Sequence, residues 1–231
     1  QYILQELLYE KKELTNKREY FDSIVDTIIS IDRGKEFIIA ISNLIQKLNI
    51  DHLHIVGDIY DRGPFPHLIM DTLAEYNNLD IQWGNHDILW MGAACGNDAC
   101  ICNVIRNNLK YGNVEILENA YGISLRHLML FGMSKYGIED AIQAAFAAIK
   151  VILFKLEGQL IKRHPEYGMN DRLLLEHIDL DEGFVNVNGV KAKLKTNIFP
   201  TLNKENPYEL TAEENEIMLK LHRSFVSGQR L

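Results

Sequence analysis

The chain has 231 residues, 47% of them apolar and 24% charged, with a formal net charge of -8. These values match an ordinary soluble globular protein with one large domain or two small ones and a sizeable core. The acidic balance argues against broad nucleic-acid binding, which needs a basic surface to displace counterions; a small phosphate held locally by metals or a few arginines stays within reach.

The opening Gln1-Tyr2-Ile3-Leu4-Gln5-Glu6-Leu7 lacks an initiating Met, a basic n-region and a small-residue cleavage site. It reads as the middle of an amphipathic helix in a longer protein and not as a signal peptide. Leu4, Leu7 and Leu8 lead at helical spacing into a basic run through Lys17 and Arg18. A second helix is predicted from about Lys35 to Leu48, where Phe37, Ile38, Ile41, Leu44 and Ile45 make one apolar stripe. His52-Leu53-His54-Ile55-Val56-Gly57 reads as a strand feeding a loop, with His52 and His54 as strand residues. Pro64 and Pro66 bracket that loop, and a helix begins around Leu68-Ile69-Met70 with Leu73. Asp80-Ile81-Gln82-Trp83-Gly84 repeats the strand-then-glycine pattern. Helix, strand, helix, strand, helix is the order of a parallel α/β layer, whose ligands gather at the carboxyl ends of the strands.

Trp83 and Trp90 flank the second loop and are expected to pack the core beneath it. Cys95, Cys100 and Cys102 fall within eight residues. Their spacing lacks the second pair a zinc clip needs, so they read as buried or idle thiols in a reducing compartment, the cytoplasm. Val114-Glu115-Ile116-Leu117 is read as a further strand, Ala141 to Leu160 as a helix, and Phe184 to Ala192 as a hairpin around Asn188-Gly189. Lys162-Arg163-His164 reads as a solvated helix end, with a second-phosphate contact as the functional alternative. Thr211 caps a last helix. No apolar run approaches the ~20 residues of a membrane span. A boundary is placed near residue 137.

Two loops carry chemistry. Asp58 follows a strand-end glycine, with Asp61-Arg62-Gly63-Pro64 just beyond. The glycine lets the backbone turn so that the Asp58 carboxylate faces the crevice above the sheet, where a hard divalent cation seeks oxygen ligands. One carboxylate can bridge two cations at the ~3.5–4 Å separation of two-metal hydrolases. Arg62 offers a planar fork of donors for a phosphate. In Gly84-Asn85-His86-Asp87, Asn85 is a neutral oxygen donor that preserves the metals' charge, and His86 can donate a proton near neutral pH. Asp61 is the candidate carboxylate to orient it. Either loop alone reads as an ordinary turn. Two of matching type, 27 residues apart from Asp58 to Asn85, favour the metal site.

Gly57-Asp58-x-x-Asp61-Arg62-Gly63 followed by Gly84-Asn85-His86-Asp87 resembles the calcineurin-like metallophosphoesterases, particularly their phosphoprotein-phosphatase branch. The longer words narrow the likeness to class III fructose-1,6-bisphosphatase. They are His52 to Pro64, Asp80 to Asp87, Tyr121-Gly122-Ile123-Ser124-Leu125-Arg126 and Phe154 to Arg163. That resemblance implies an α/β fold, a metallophosphoesterase-type β-sandwich flanked by helices, only partly covered by this chain. Residues 1–32 would be an N-terminal helical segment, 33–137 the metallophosphoesterase core segment, and 138–231 a helical segment with a β-hairpin. It further implies that Asp58 bridges two metals, usually manganese, that Asn85 binds one of them, that Arg62 holds phosphate, and that His86, aided by Asp61, protonates the leaving sugar oxygen. Phosphorus would be attacked in line without a phosphoenzyme. The implied partner is a sugar bisphosphate in gluconeogenesis, with neither nucleic acid nor membrane; homo-oligomer formation stays open.

The chain departs from the family in its ligands. The Asp-x-His motif expected before Asp58 is absent, since Asp22, Asp26 and Asp32 have no His two residues on. Downstream, His127, His164, His177 and His222 stand in none of the expected His-Gly or Gly-His contexts. The family's chains are also several times longer, and the 231 residues are expected not to complete the metal site. Two rivals follow: a protein or dinucleotide phosphoesterase of the same superfamily, and a non-catalytic domain serving binding or assembly.

Overall fold

The apolar stripe Phe37, Ile38, Ile41, Leu44 and Ile45 belongs to a helix, as its spacing predicts. In this computed structural model, whose described residues are 16–76, 78–187, 189–195 and 198–227, that helix is α2 (Gly34–Asn49). It follows α1 (Asn16–Ser30). Short strands β1 (Leu53–Ile55) and β2 (Leu79–Ile81) pair in a two-stranded sheet, and α3 (Pro66–Leu73) comes between them in sequence. Pro66 opens α3 at the position where its missing N–H costs no hydrogen bond. The stretch before residue 16, including Leu4, Leu7 and Leu8, lies outside the described residues.

Gln1–Ile55 with Leu73–Asp80 form one compact unit, and Val56–Thr72 with Ile81–Leu231 form another. Within the first, no residue of α2 is buried, and Ile38 and Leu48 of its apolar face are exposed.

The second unit is mainly helical. Besides nearly all of α3, its helices among the described residues include α4 (Asn85–Ala94), α5 (Asp98–Tyr111), α6 (Arg126–Tyr136), α7 (Ala141–Arg163) and α8 (Ala212–Val226). Helix α7 packs on α5 and α6, α5 packs on α4, and α8 lies against α4 and α5. Ile101, Ile105, Leu128, Ile149, Ile152 and Phe225 meet in the resulting core. Asp140 caps α7 by accepting the Gln143 N–H at 2.7 Å, and Thr211 caps α8 by accepting the Glu214 N–H at 3.2 Å. Glu214 returns the bond to the Thr211 N–H and also meets Lys155 Nζ at 2.7 Å, with both side chains fully buried.

Strands β3 (Ile178–Asp179), β4 (Phe184–Val187) and β5 (Val190–Lys193) form an antiparallel sheet. Val187 pairs with Val190, so the predicted hairpin turns in two residues, of which Asn188 lies outside the described residues. One predicted strand is helical instead. Residues 114–120 wind into a turn that ends as a π-helix over Ile116–Ala120. Ile116 and Leu117 are both buried, and the helical turn seats these neighbours in the same core. The whole is an α/β chain, mostly helical with small sheets.

Candidate active site

The two loops touch because glycine lets them. Gly57 turns at φ 88°, and a Cβ there would sit 2.3 Å from the Gln82 carbonyl oxygen and 2.5 Å from the Gly84 nitrogen. Any larger residue would push the first loop off the second. Asp58 then adopts φ 54°, the left-handed region that non-glycine residues rarely occupy.

Gly84 precedes the first turn of α4 with extended backbone and no side chain to cap it. Asp58 supplies that cap from the other loop: its Oδ1 accepts the His86 N–H at 3.1 Å. A Cβ on Gly84 would lie 2.2 Å from the same oxygen. Asp87, in the first turn of α4, reaches back. Its Oδ2 accepts N–H groups from Asp58 at 2.6 Å and Gly84 at 2.9 Å, and its Oδ1 accepts that of Tyr60 at 3.1 Å. Each loop therefore binds the backbone of the other through an aspartate.

His86 Nε2 lies 3.0 Å from Asp61 Oδ1, and Arg62 Nε lies 3.2 Å from the same oxygen. The Arg62 guanidinium passes over the Tyr111 ring at 5.3 Å, with its outer face open to solvent. Asn113 Nδ2 donates to the Arg62 carbonyl at 3.0 Å and ties this stretch to the end of α5. Asp58, Asp61, Arg62 and His86 are thus linked contact by contact. Asn85 is the exposed first residue of α4, between Gly84 and His86.

Asp58 and Asn85 offer hard oxygen donors of the kind a divalent cation takes. They fit such an ion in chemical type as part of a larger ligand set. Among the described residues, no group of three or more His, Cys, Asp and Glu could hold a metal. The positive end of the α4 dipole lies beside them and suits a phosphate oxygen.

The motif chemistry of the two loops leaves Asp87 and Tyr60 without a role. The signal was present: Gly84-x-x-Asp87 has capping-box spacing with the cap residue reduced to glycine. The Tyr60 ring lies 4.7 Å from that of Trp90, and its hydroxyl is 2.9 Å from the Tyr121 hydroxyl. Burial pushes the Tyr60 phenol above its ordinary value; the Tyr121 hydrogen bond opposes this and the Asp87 charge adds to it. A cavity of about 320 Å³ adjoins them, lined by Ile59, Met70, Trp83 and Met91 among others. Trp90 is buried as predicted, but Trp83 is 58% exposed, because the chain leaves β2 at Ile81 and its ring lines the rim of this cavity.

The other polar residues singled out in the sequence lie in pairs elsewhere. His52 and His54 both meet the Asp80 carboxylate. Lys162 pairs with Glu176 at 2.5 Å and His164 with Glu166 at 2.8 Å. Cys95, Cys100 and Cys102 are free thiols; Cys102 is buried against Met218, and burial raises its thiol well above the ordinary range.

Comparison with known proteins agrees with the loops. The chain is 61% identical over 244 residues to a fructose-1,6-bisphosphatase class 3 of Fusobacterium nucleatum, covering 100% of this chain and 38% of that one. It is 53% identical over 249 residues to one of Clostridium beijerinckii, covering 99% and 38%, and 48% identical over 252 residues to one of Phocaeicola vulgatus, covering 100% and 38%. The chain therefore spans about 38% of the length of these curated relatives. No solved structure matches it. The profile of the Firmicute fructose-1,6-bisphosphatases matches residues 1–231, through both loops and the helix that carries the second, and the chain belongs to that family.

Proposed function

We propose that the full-length protein carrying this chain hydrolyses the C1 phosphate of fructose 1,6-bisphosphate, giving fructose 6-phosphate and phosphate, as a step of gluconeogenesis in the cytoplasm. The observation that carries the reading is the contact chain joining Asp58, Asp61, Arg62 and His86, in a sequence 61% identical to a named class 3 enzyme. The fold proposed for the whole protein is a metallophosphoesterase-type β-sandwich flanked by helices, of which this chain is a part. Homo-oligomer formation belongs to the same proposal.

In this reading the phosphate lies over the amino end of α4. Arg62 meets its oxygens with the outer edge of the guanidinium, while Nε stays on Asp61. Asp61 occupies Nε2 of His86, so Nδ1 is the nitrogen that hands a proton to the leaving C1 oxygen. Two divalent cations, manganese by family resemblance, would be held in part by Asp58 and Asn85 and would supply neutralising charge and an acidified water. Asp61 also restrains the His86 ring, which fixes where the proton is delivered.

Asp58→Ala and His86→Ala in the full-length protein test this. Each is expected to lower manganese-dependent phosphate release from fructose 1,6-bisphosphate by about 10²–10⁴-fold. Wild-type rates in both would overturn it. One observation favours a second reading, binding or assembly without catalysis: the described donors fall short of a complete metal site. Metal analysis of the full-length protein separates the two, since about two metals per chain support the enzyme and none after manganese supplementation supports the scaffold.

A further inference from the structure

We propose that Asp87 is the positioning residue of this site: its carboxylate clasps the backbones of both loops and presets Asp58 and His86 before metal or substrate arrives. The catalytic consequence rests on the phosphoesterase reading above; the structural claim does not.

Asp87 is only 7% exposed, and its three bonds run to backbone N–H groups. Oδ2 alone takes one amide from each loop, Asp58 and Gly84, so the separation of the two backbones is set by the reach of a single oxygen. Oδ1 takes Tyr60, the residue just before Asp61 and Arg62. An ionised acceptor suits this task because charge-assisted bonds are the shorter and stronger ones, and burial beside Trp90 and Tyr60 strengthens them further. The left-handed backbone of Asp58 is the conformation such a clasp would hold. Its carboxylate then caps His86, completing a crossed pair in which Asp87 fixes where Asp58 points and Asp58 fixes where α4 begins. Asparagine cannot substitute, since its amide nitrogen would face an N–H where an oxygen now accepts. Glutamate can, because a carboxylate in the third position of a helix reaches back to the cap in a capping box.

The test uses the full-length protein, with Asp87→Asn and Asp87→Glu. In the metal-free protein, Asp87→Asn should speed hydrogen exchange of the Asp58 and Tyr60 amides at least ten-fold while leaving those of Ile149 and Ile152 in α7 protected. Its Kd for manganese, measured by calorimetry, should rise at least ten-fold, and kcat on fructose 1,6-bisphosphate should fall more than KM changes. Asp87→Glu should recover most of the exchange protection and the manganese affinity. Wild-type exchange at Asp58 and Tyr60 with wild-type manganese affinity in Asp87→Asn would overturn the assignment. Should Asp87→Asn fail to fold, Asp87→Glu decides: near-wild-type exchange and affinity support the clasp, and affinity as low as that of Asp58→Ala overturns it. A wild-type protein that neither binds manganese nor hydrolyses the sugar would sink the proposed function, while the exchange data would still decide the role of Asp87.

Discussion

Asp80 and Asp87 stand seven residues apart, and each carboxylate gathers several donors in opposite surroundings. Asp80, on β2, is half exposed and meets the imidazoles of His52 and His54. Asp87, on α4, is nearly buried and meets three backbone amides. The first cluster depends on groups that titrate and is screened by water. The second depends on groups that never lose their protons at ordinary pH, in surroundings where a bond to a charge is strong. A strand edge can vary its binding with pH; a loop junction held by amides keeps its shape.

Glu214 extends the buried side of this contrast and gives the largest expected effect. Its Oε2 accepts the Thr211 N–H and Lys155 Nζ, with both side chains fully buried. Lys155→Ala would leave that carboxylate without its cation, and unfolding by urea should show a loss of about 3–5 kcal/mol. A loss below about 1 kcal/mol would mean that burial does not set the worth of such a carboxylate.

Gly84→Ala probes the junction itself, because the new methyl would sit 2.2 Å from Asp58 Oδ1. It should cost about 1–3 kcal/mol and weaken manganese binding along with it. Unchanged affinity would show that the two loops tolerate separation.

The exposed side should give the smallest effect, and one that depends on pH. His52 titrates above its ordinary value, through its hydrogen bond with Asn78 and then through Asp80. Asp80 is held below its ordinary value, mainly by His54 and then by His52. The raised imidazole stabilises the strand pair below about pH 6.5 and loses that effect as pH rises through its folded value; the depressed carboxylate stabilises above about pH 4 and loses it on acidification. Asp80→Asn should therefore lower Tm more at pH 5.5 than at pH 8.5. An equal change at both would place the contribution outside the imidazoles.

Much of this was legible in the sequence because the signals were local. The glycines and aspartates of the two loops, the stripe of α2, the Asn-Gly hairpin and the Thr211 cap each depend on spacing within a few residues. For Asp87 only the local half is legible, as capping-box spacing to Gly84; its bonds to Asp58 and Tyr60, 29 and 27 residues away, go to backbone, which no residue type announces. The pairing of Lys155 with Glu214 joins two side chains across 59 residues, beyond the reach of any local spacing. Val114-Glu115-Ile116-Leu117 is ambiguous because three apolar residues around one charge suit a short strand and a buried helical turn equally.

The most direct test of the paired-loop site is anomalous diffraction from crystals of the full-length protein grown with manganese. Metal within roughly 2–2.4 Å of both the Asp58 carboxylate and the Asn85 amide oxygen is the predicted result. Manganese bound elsewhere, with those two side chains turned apart, would contradict it.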